Sequence, residues 1–397
     1  MMRSRYHSNI VERNPLMFNR RHFLQLSLIS TGSLLGISTA CSSSSSLTTS
    51  LHSMPNYSRT SATLIPDSTP RDDGFFFPAE WQPHDYTIMV FPPAQNWEDN
   101  GLEDAYEEWA NVANTVQEFE PVLMVVHPDE RSIARELLSS EIRLIEFPVN
   151  DGWSRDSGPT ILVNNKGERR IAGFTFNGWG AKFPPYADDA LLKARLSGAL
   201  EIPMYPTDLV LEGGAIAVDG EGTLITTEEC LLNRNRNPHL SQAEIEARLR
   251  DYLGVQKVIW LGDGIVPDPV TDGHVDGFCA FAAPGVVLLH TTDDRNDPNY
   301  RILQDAKRRL QEAKDARDRT LEIVEIPLGD DLAHMNFYIV NNGIIVPTSG
   351  DPEQDDAPLA ILREVFPDRE VVGVESLTLA EGGGGIHCIT QQVPSTS

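Results

Sequence analysis

From Phe75 onward the chain alternates short apolar runs with amphipathic stretches, which indicates an α/β arrangement. Apolar positions at helical spacing predict helices over residues 102–119, 129–138, 188–200, 241–253, 298–316 and 356–366. Ser241, with Glu244 three residues later, has the form of a capping box at the head of the fourth. Five of these helices are followed by a short β-type run: 141–148 (EIRLIEFP), 200–206 (LEIPMYP), 254–261 (GVQKVIWL), 321–327 (LEIVEIP) and 369–374 (REVVGV).

Each run leads into a loop of unusual residues: 153–156 (WSRD), 212–214 (EGG), 272–276 (DGHVD), 334–336 (HMN) and 381–388 (EGGGGIHC). With Asp156, Glu212, His274, Met335 and Cys388 as markers, the intervals are about 56, 62, 61 and 53 residues, the span of a repeat architecture. Strand-after-helix recurrence alone is common in α/β proteins. Polar residues recurring at equivalent places favour a closed ring, a five-module pseudo-symmetric α/β propeller forming one catalytic domain over residues 73–397. Equivalent loops of a ring meet at its axis, which would gather an Asp, a Glu, a His-x-Asp and a Cys.

The N-terminus has a different pattern. Residues 19–25 (NRRHFLQ) place twin arginines ahead of an apolar stretch diluted by Ser, Thr and Gly that ends at Ala40-Cys41. Residues 1–41 therefore resemble a Tat export signal, and the stretch is short and weakly apolar for a membrane span. Cys41 after a small residue looks like a lipoprotein acceptor, although Ser38 stands where an aliphatic residue is usual. Residues 42–72, rich in Ser and Thr, read as a disordered tether. The expectation is an exported protein, periplasmic or held to the membrane by a lipid on Cys41.

Composition narrows the partners. Lys and Arg number 32 against 58 Asp and Glu, a formal charge of −26, or −30 without residues 1–41. Such acidity repels nucleic acid and anionic membranes. It suits a small cationic substrate, and solubility explains it equally well. Four cysteines (Cys41, Cys230, Cys279 and Cys388) are too few for a disulfide-stapled scaffold.

Cys388 follows four consecutive glycines, which permit close backbone approach around a ligand. Cys230 and Cys279 lack such a setting and read as core. His274 and Asp276 would share one side of an extended strand. A Cys–His pair can act as nucleophile and base, with Glu212 fixing the imidazole tautomer. Asp156 and Asp276 then need a cation, and a planar guanidinium donates bidentate hydrogen bonds to carboxylates well. The same His, Asp, Glu and Cys are also metal-ligand types, but no paired Cys-x-x-Cys or His-x-x-x-His supports a metal.

An ordered set of stretches carries a family resemblance: 78–84 (PAEWQPH), 153–160 (WSRDSGPT), 176–180 (FNGWG), 211–214 (LEGG), 226–233 (TTEECLLN), 271–276 (TDGHVD), 336–338 (NFY) and 382–392 (GGGGIHCITQQ). Together they resemble the agmatine deiminase and bacterial-type peptidyl-arginine deiminase family of the guanidine-modifying superfamily, over about residues 78–392. The resemblance implies the pentein-like five-module propeller, with Cys388 as nucleophile, His274 as general acid and base, and Glu212 orienting the histidine. Asp156 and Asp276 would grip the guanidinium, while Trp153 and Trp179 would line the pocket around the substrate's aliphatic stem or else pack in the core. No metal or organic cofactor is implied. The implied reaction converts agmatine to N-carbamoylputrescine and ammonia, within putrescine and polyamine metabolism.

Peptidyl- or free-arginine deimination to citrulline is the nearest alternative. An amidinotransferase and a guanidine-binding protein without turnover are alternatives of other classes. Gly385 and Gly277 depart from the family pattern, where Asn is common at both places, and bear on substrate fit. The sequence leaves the oligomeric state open.

Overall fold

A computed structural model describes residues 62–97, 101–330 and 332–396. The expected export signal, the acceptor Cys41 and most of the tether lie outside the described residues. Five small sheets follow one another along the chain, four of three strands and one of four. The second to fifth are built alike: an antiparallel pair, a helix, then a third strand parallel to the middle one. The third sheet, for example, runs Ala217–Val218, Thr223–Thr227, helix Gln242–Leu253 and strand Lys257–Leu261.

The first sheet closes the ring. Its strands His84–Val90, Val122–Val126 and Arg143–Glu146 run parallel, and its antiparallel partner, Thr390–Pro394, comes from the opposite end of the chain. Ile88 pairs with Gln391 across that seam. The result is a five-module pseudo-symmetric α/β propeller.

Local chemistry explains the elements. Ser241 and Glu244 form a reciprocal capping box, and Ile245, Leu249 and Leu253 are buried at helical spacing. Helix Asn299–Glu312 buries Leu303, Ala306 and Leu310 against Ile259 and Leu261 of the third sheet and Val287 and Leu289 of the fourth. Each such leucine contributes about 1.5–3 kcal/mol of burial. The third strands of the modules fall close to their predicted positions. One is late: the strand expected over 200–206 spans Met204–Val210, because the preceding helix continues to Ala199 and the chain turns before Pro203.

Residues 62–72, assigned by composition to the tether, lie on the fold. Ile65 N–H donates to Met204 O at 2.9 Å and Arg71 N–H to Asp251 O at 3.0 Å. Ala62 and Ile65 pack against two of the buried clusters, so the folded chain begins ahead of residue 73. No helix among the described residues is long and apolar enough to cross a membrane.

The chain turns sharply between the last strand of one sheet and the first of the next. Ser154–Ser157, Gly213–Ala215, Val275–Gly277 and His387–Ile389 are single helical turns, and residues 334–336 occupy the equivalent place before Tyr338–Val340. These five turns carry the five markers. Val275–Gly277 is a helical turn rather than the extended strand expected for His274 and Asp276. Positive φ at Asp272 and Gly273 bends the chain there.

Candidate active site

The five turns bring Asp156, Glu212, His274, Asp276 and Cys388 into one buried cluster, none more than 7% exposed. Cys388 Sγ lies 3.8 Å from Asp276 Oδ2. Its backbone N–H donates to Asn336 Oδ1 at 3.3 Å, so the fourth turn holds the fifth. His274 stands between two carboxylates, with Nδ1 3.9 Å from Asp156 Oδ2 and Nε2 3.9 Å from Glu212 Oε2. Both separations exceed a hydrogen bond.

The carboxylates are held from behind. Asp156 Oδ1 accepts the Gly214 N–H at 2.9 Å, and Oδ2 accepts the Trp179 indole N–H at 2.8 Å. Gly214 has to be glycine: a Cβ there would sit 2.6 Å from His274 Nδ1 and 2.8 Å from Asp276 Oδ2. Glu212 Oε1 accepts from Arg236 Nε at 2.7 Å. Arg236 Nη1 in turn reaches Asp272 Oδ2 at 2.7 Å.

Trp153 packs edge-to-face on Trp109 and near Trp97, and its ring lies beneath Gly384 of the Cys388 loop. Both expected pocket tryptophans are thus buried, Trp179 as a donor to Asp156 and Trp153 as support for the nucleophile loop. Sequence reasoning missed Arg236, Lys193 and the site contact of Cys230. Cys279 is core, as expected, and burial pushes its thiol pKa up. Cys230 is buried too, but its sulfur lies within 4.8 Å of His274 and Glu212 ligand atoms. These three could hold a metal by residue type, although the Arg236 guanidinium on Glu212 disfavours a second cation there.

Electrostatics divides the roles. Burial opposes charge on His274, but Asp156, Cys230 and Glu212 outweigh it and raise its pKa well above the ordinary value. Burial would raise Glu212, yet His274 and Arg236 bring it below the usual carboxylate range. Asp276 is likewise lowered, its burial outweighed by His387 and His274. Asp156 is raised, first by burial and then by its anionic neighbours. The Cys388 thiol is pushed well up, by burial and by Asp276 and Asp156. Lys193, donating to Phe174 O at 2.7 Å, is drawn down by burial to about 8 although Glu212 and Asp156 oppose this.

A protonated imidazole, a thiol and two anionic side chains in one water-poor site suit attack on a planar cation. A cation between the carboxylates would cancel the field that keeps the thiol protonated. A cavity of about 60 Å³ shares Asp276 with this cluster, and its other lining residues include His387, Glu80, Arg155, Phe281 and Phe337.

Comparison with known proteins identifies the family. Residues 76–394 match the Porphyromonas-type peptidyl-arginine deiminase family. The chain is 46% identical over 364 residues to an agmatine deiminase of Pseudomonas aeruginosa strain LESB58, covering 83% of this chain and 98% of that one. Agmatine deiminase of Enterococcus faecalis superposes with a TM-score of 0.81 at 38% identity, over 85% of this chain and 100% of its own. The C. jejuni agmatine deiminase gives 0.71 at 26% identity, over 81% and 96%. The chain belongs to the Porphyromonas-type peptidyl-arginine deiminase family.

Proposed function

We propose that this protein is a hydrolase that deiminates agmatine to N-carbamoylputrescine and ammonia, with Cys388 as nucleophile. The observation that carries the reading is the convergence of Cys388, His274, Glu212, Asp156 and Asp276 from separate turns of the ring. The relatives named agmatine deiminase support the substrate, since the chain covers nearly their whole length.

Asp156 and Asp276 hold the guanidinium planar and offset its charge. As the cation enters, the thiol gives its proton up to solvent, and the thiolate attacks the guanidinium carbon to give a neutral tetrahedral adduct. Imidazolium His274 donates a proton to one amino nitrogen, the carbon–nitrogen bond breaks and ammonia leaves. An amidino-thioether remains on Cys388. His274, now neutral, removes a proton from water as the oxygen attacks that carbon. The carbon–sulfur bond then breaks as the adduct's hydroxyl proton passes to the departing sulfur, which returns the Cys388 thiol and imidazolium His274 and releases the ureido product. Glu212, fixed by Arg236, keeps the imidazole aimed and favours its charged form.

The test supplies agmatine, free arginine and an arginine peptide separately to residues 62–397, and measures ammonia and ureido product. Agmatine turnover that falls at least about 10,000-fold in Cys388→Ala supports the reading. Preference for arginine or the peptide moves the substrate to the second reading, which the matched family's description favours. Turnover that survives Cys388→Ala sinks the covalent mechanism. From residues 19–41 we also propose Tat-type export with lipidation of Cys41. Cell fractionation of the full chain beside an Arg20→Lys/Arg21→Lys variant tests it, and identical fractions for the two would refute it.

A further inference from the structure

Two features of the sequence have no part in the chemistry above: Glu80, in the stretch 78–84, and His387, beside the nucleophile. They meet in the structure. His387 Nδ1 lies 2.8 Å from Asp276 Oδ2, and its Nε2 lies 2.9 Å from Glu80 Oε2. An ionised carboxylate only accepts hydrogen bonds, so an imidazole bonded to one at each nitrogen must carry both protons. Burial opposes ionisation of Glu80, but His387 and Arg155 outweigh it and bring its pKa to about 2.

Glu80 is itself fixed. Ile339 N–H donates to Oε1 at 2.9 Å, and Arg155 Nη2 to Oε2 at 3.3 Å. Arg155 Nε also donates to the His387 carbonyl at 3.2 Å, and Nη1 to Gln392 Oε1 at 2.7 Å.

We propose that His387 is a positioning residue, an imidazolium clamped between Glu80 and Asp276 that aims Asp276 and offsets its charge beside Cys388. The proposal rests on the reading of Cys388 as nucleophile and Asp276 as a guanidinium ligand. The oxygen that accepts from His387 is the same one that lies 3.8 Å from Cys388 Sγ. An uncompensated carboxylate there would oppose the thiolate directly. With Oδ2 engaged, Oδ1 of Asp276 is left to meet the substrate.

The charged and titratable groups facing His387 are Glu80, Asp276, Arg155 and Cys388. Burial and the Arg155 cation work against the imidazolium, and the two carboxylates outweigh them to raise its pKa. The His387 side chain is 12% exposed and borders the cavity it shares with Glu80 and Arg155. It can therefore exchange protons with solvent while the protein stays folded.

The first experiment is a ¹⁵N-histidine NMR titration, with His387→Gln used to assign the signal. Both His387 nitrogens are expected to stay protonated above the pH at which an ordinary histidine titrates, about 6.5, in the wild type. In Glu80→Gln the same signal should titrate closer to the ordinary value of about 6.5. A neutral His387 at pH 7 overturns the proposal.

The second experiment needs no substrate. Iodoacetamide labelling of Cys388 at one fixed pH is expected to slow about tenfold in His387→Gln, equivalent to one unit of thiol pKa. In the agmatine assay, kcat should fall about 100-fold with a smaller change in KM, as for a misplaced reacting group. A folded His387→Gln protein that labels and turns over at wild-type rates also overturns it. The two failures stay distinguishable, because loss of Cys388 as nucleophile shows in the Cys388→Ala assay and leaves the NMR titration unaffected.

Discussion

Arg236 Nε donates to Glu212 Oε1 at 2.7 Å, which leaves Glu212 Oε2 as the oxygen facing His274 Nε2 at 3.9 Å. Both side chains of the Arg236–Glu212 pair are fully buried. Arg236 thus does two things: it keeps a buried carboxylate ionised, and it decides which oxygen the imidazole meets.

Replacing Arg236 with Met should therefore be costly in both respects. It leaves Glu212 buried without its hydrogen-bonded guanidinium and with only the more distant His274 as a counter-charge, a loss of about 3–5 kcal/mol in stability. Denaturant unfolding should show that drop, with turnover lost even where the protein remains folded. Arg236→Lys keeps a charge but not the fork that also reaches Asp272 and Thr271, so its stability should fall between the two. An Arg236→Met protein as stable and active as the wild type would remove Arg236 from the site.

Trp179 has φ of +52°, and this backbone bend turns its indole N–H toward Asp156 Oδ2. Trp179→Phe keeps an aromatic ring and deletes only the donor. A hydrogen bond to a charged group is worth about 1.5–3 kcal/mol, so kcat/KM for agmatine should fall roughly 10- to 100-fold. Isothermal titration of Cys388→Ala, with and without Trp179→Phe, separates binding from chemistry. If Trp179 only walls the pocket, the Phe variant will bind agmatine as well as its parent.

The modules were legible because each repeats one hydrophobic rhythm, and because the turn after each third strand carries residues that have no reason to sit in a surface loop. Asp156, Glu212, His274, Asp276 and Cys388 stand out on that basis. Arg236 and Lys193 do not: one lies in an irregular stretch and the other in a helix, and their partners are fixed by tertiary contacts alone. His274-Val275-Asp276 read as a strand because alternation cannot reveal the positive φ at Asp272 and Gly273. Cys230 read as core and is core, yet packing also brings its thiol to His274.

Gly385 stands where the family resemblance implies Asn, and the structure shows what fills the space. A Cβ at Gly385 would lie 2.6 Å from Asn336 Oδ1, the atom that accepts the Cys388 N–H. Gly385→Ala must displace Asn336 and loosen the nucleophile's turn. The expected result is a kcat lowered about 100-fold, as for a reacting group shifted by about 1 Å. Asn336→Ala in the same chain relieves the crowding, so the double variant should be no worse than Asn336→Ala alone. Steady-state kinetics of the two single variants and the double variant decide this, and independent, multiplicative losses would argue against the contact.

His290 provides a pH test at a group that takes no part in the reaction. Its Nε2 accepts the Met335 N–H at 3.1 Å, and its Nδ1 donates to the Ile326 carbonyl at 3.2 Å, an arrangement that only a neutral ring can make. It therefore anchors the turn that presents Asn336 to Cys388. Burial, with the neighbouring His334, lowers its pKa to about 3 although the Ile326 carbonyl opposes the shift. An unfolded histidine takes up its proton near pH 6.5, while the folded one resists it down to about 3. The unfolded state thus binds more protons in that window. The contribution of His290 to stability is full above pH 6.5 and is lost as pH falls toward 3, by about 1.4 kcal/mol per pH unit. His290→Gln removes the titrating group, so its stability deficit relative to the wild type should shrink as the pH is lowered. Denaturant unfolding at several pH values between 7 and 4 measures the gap. A deficit that stays constant across that range would mean His290 is not held neutral.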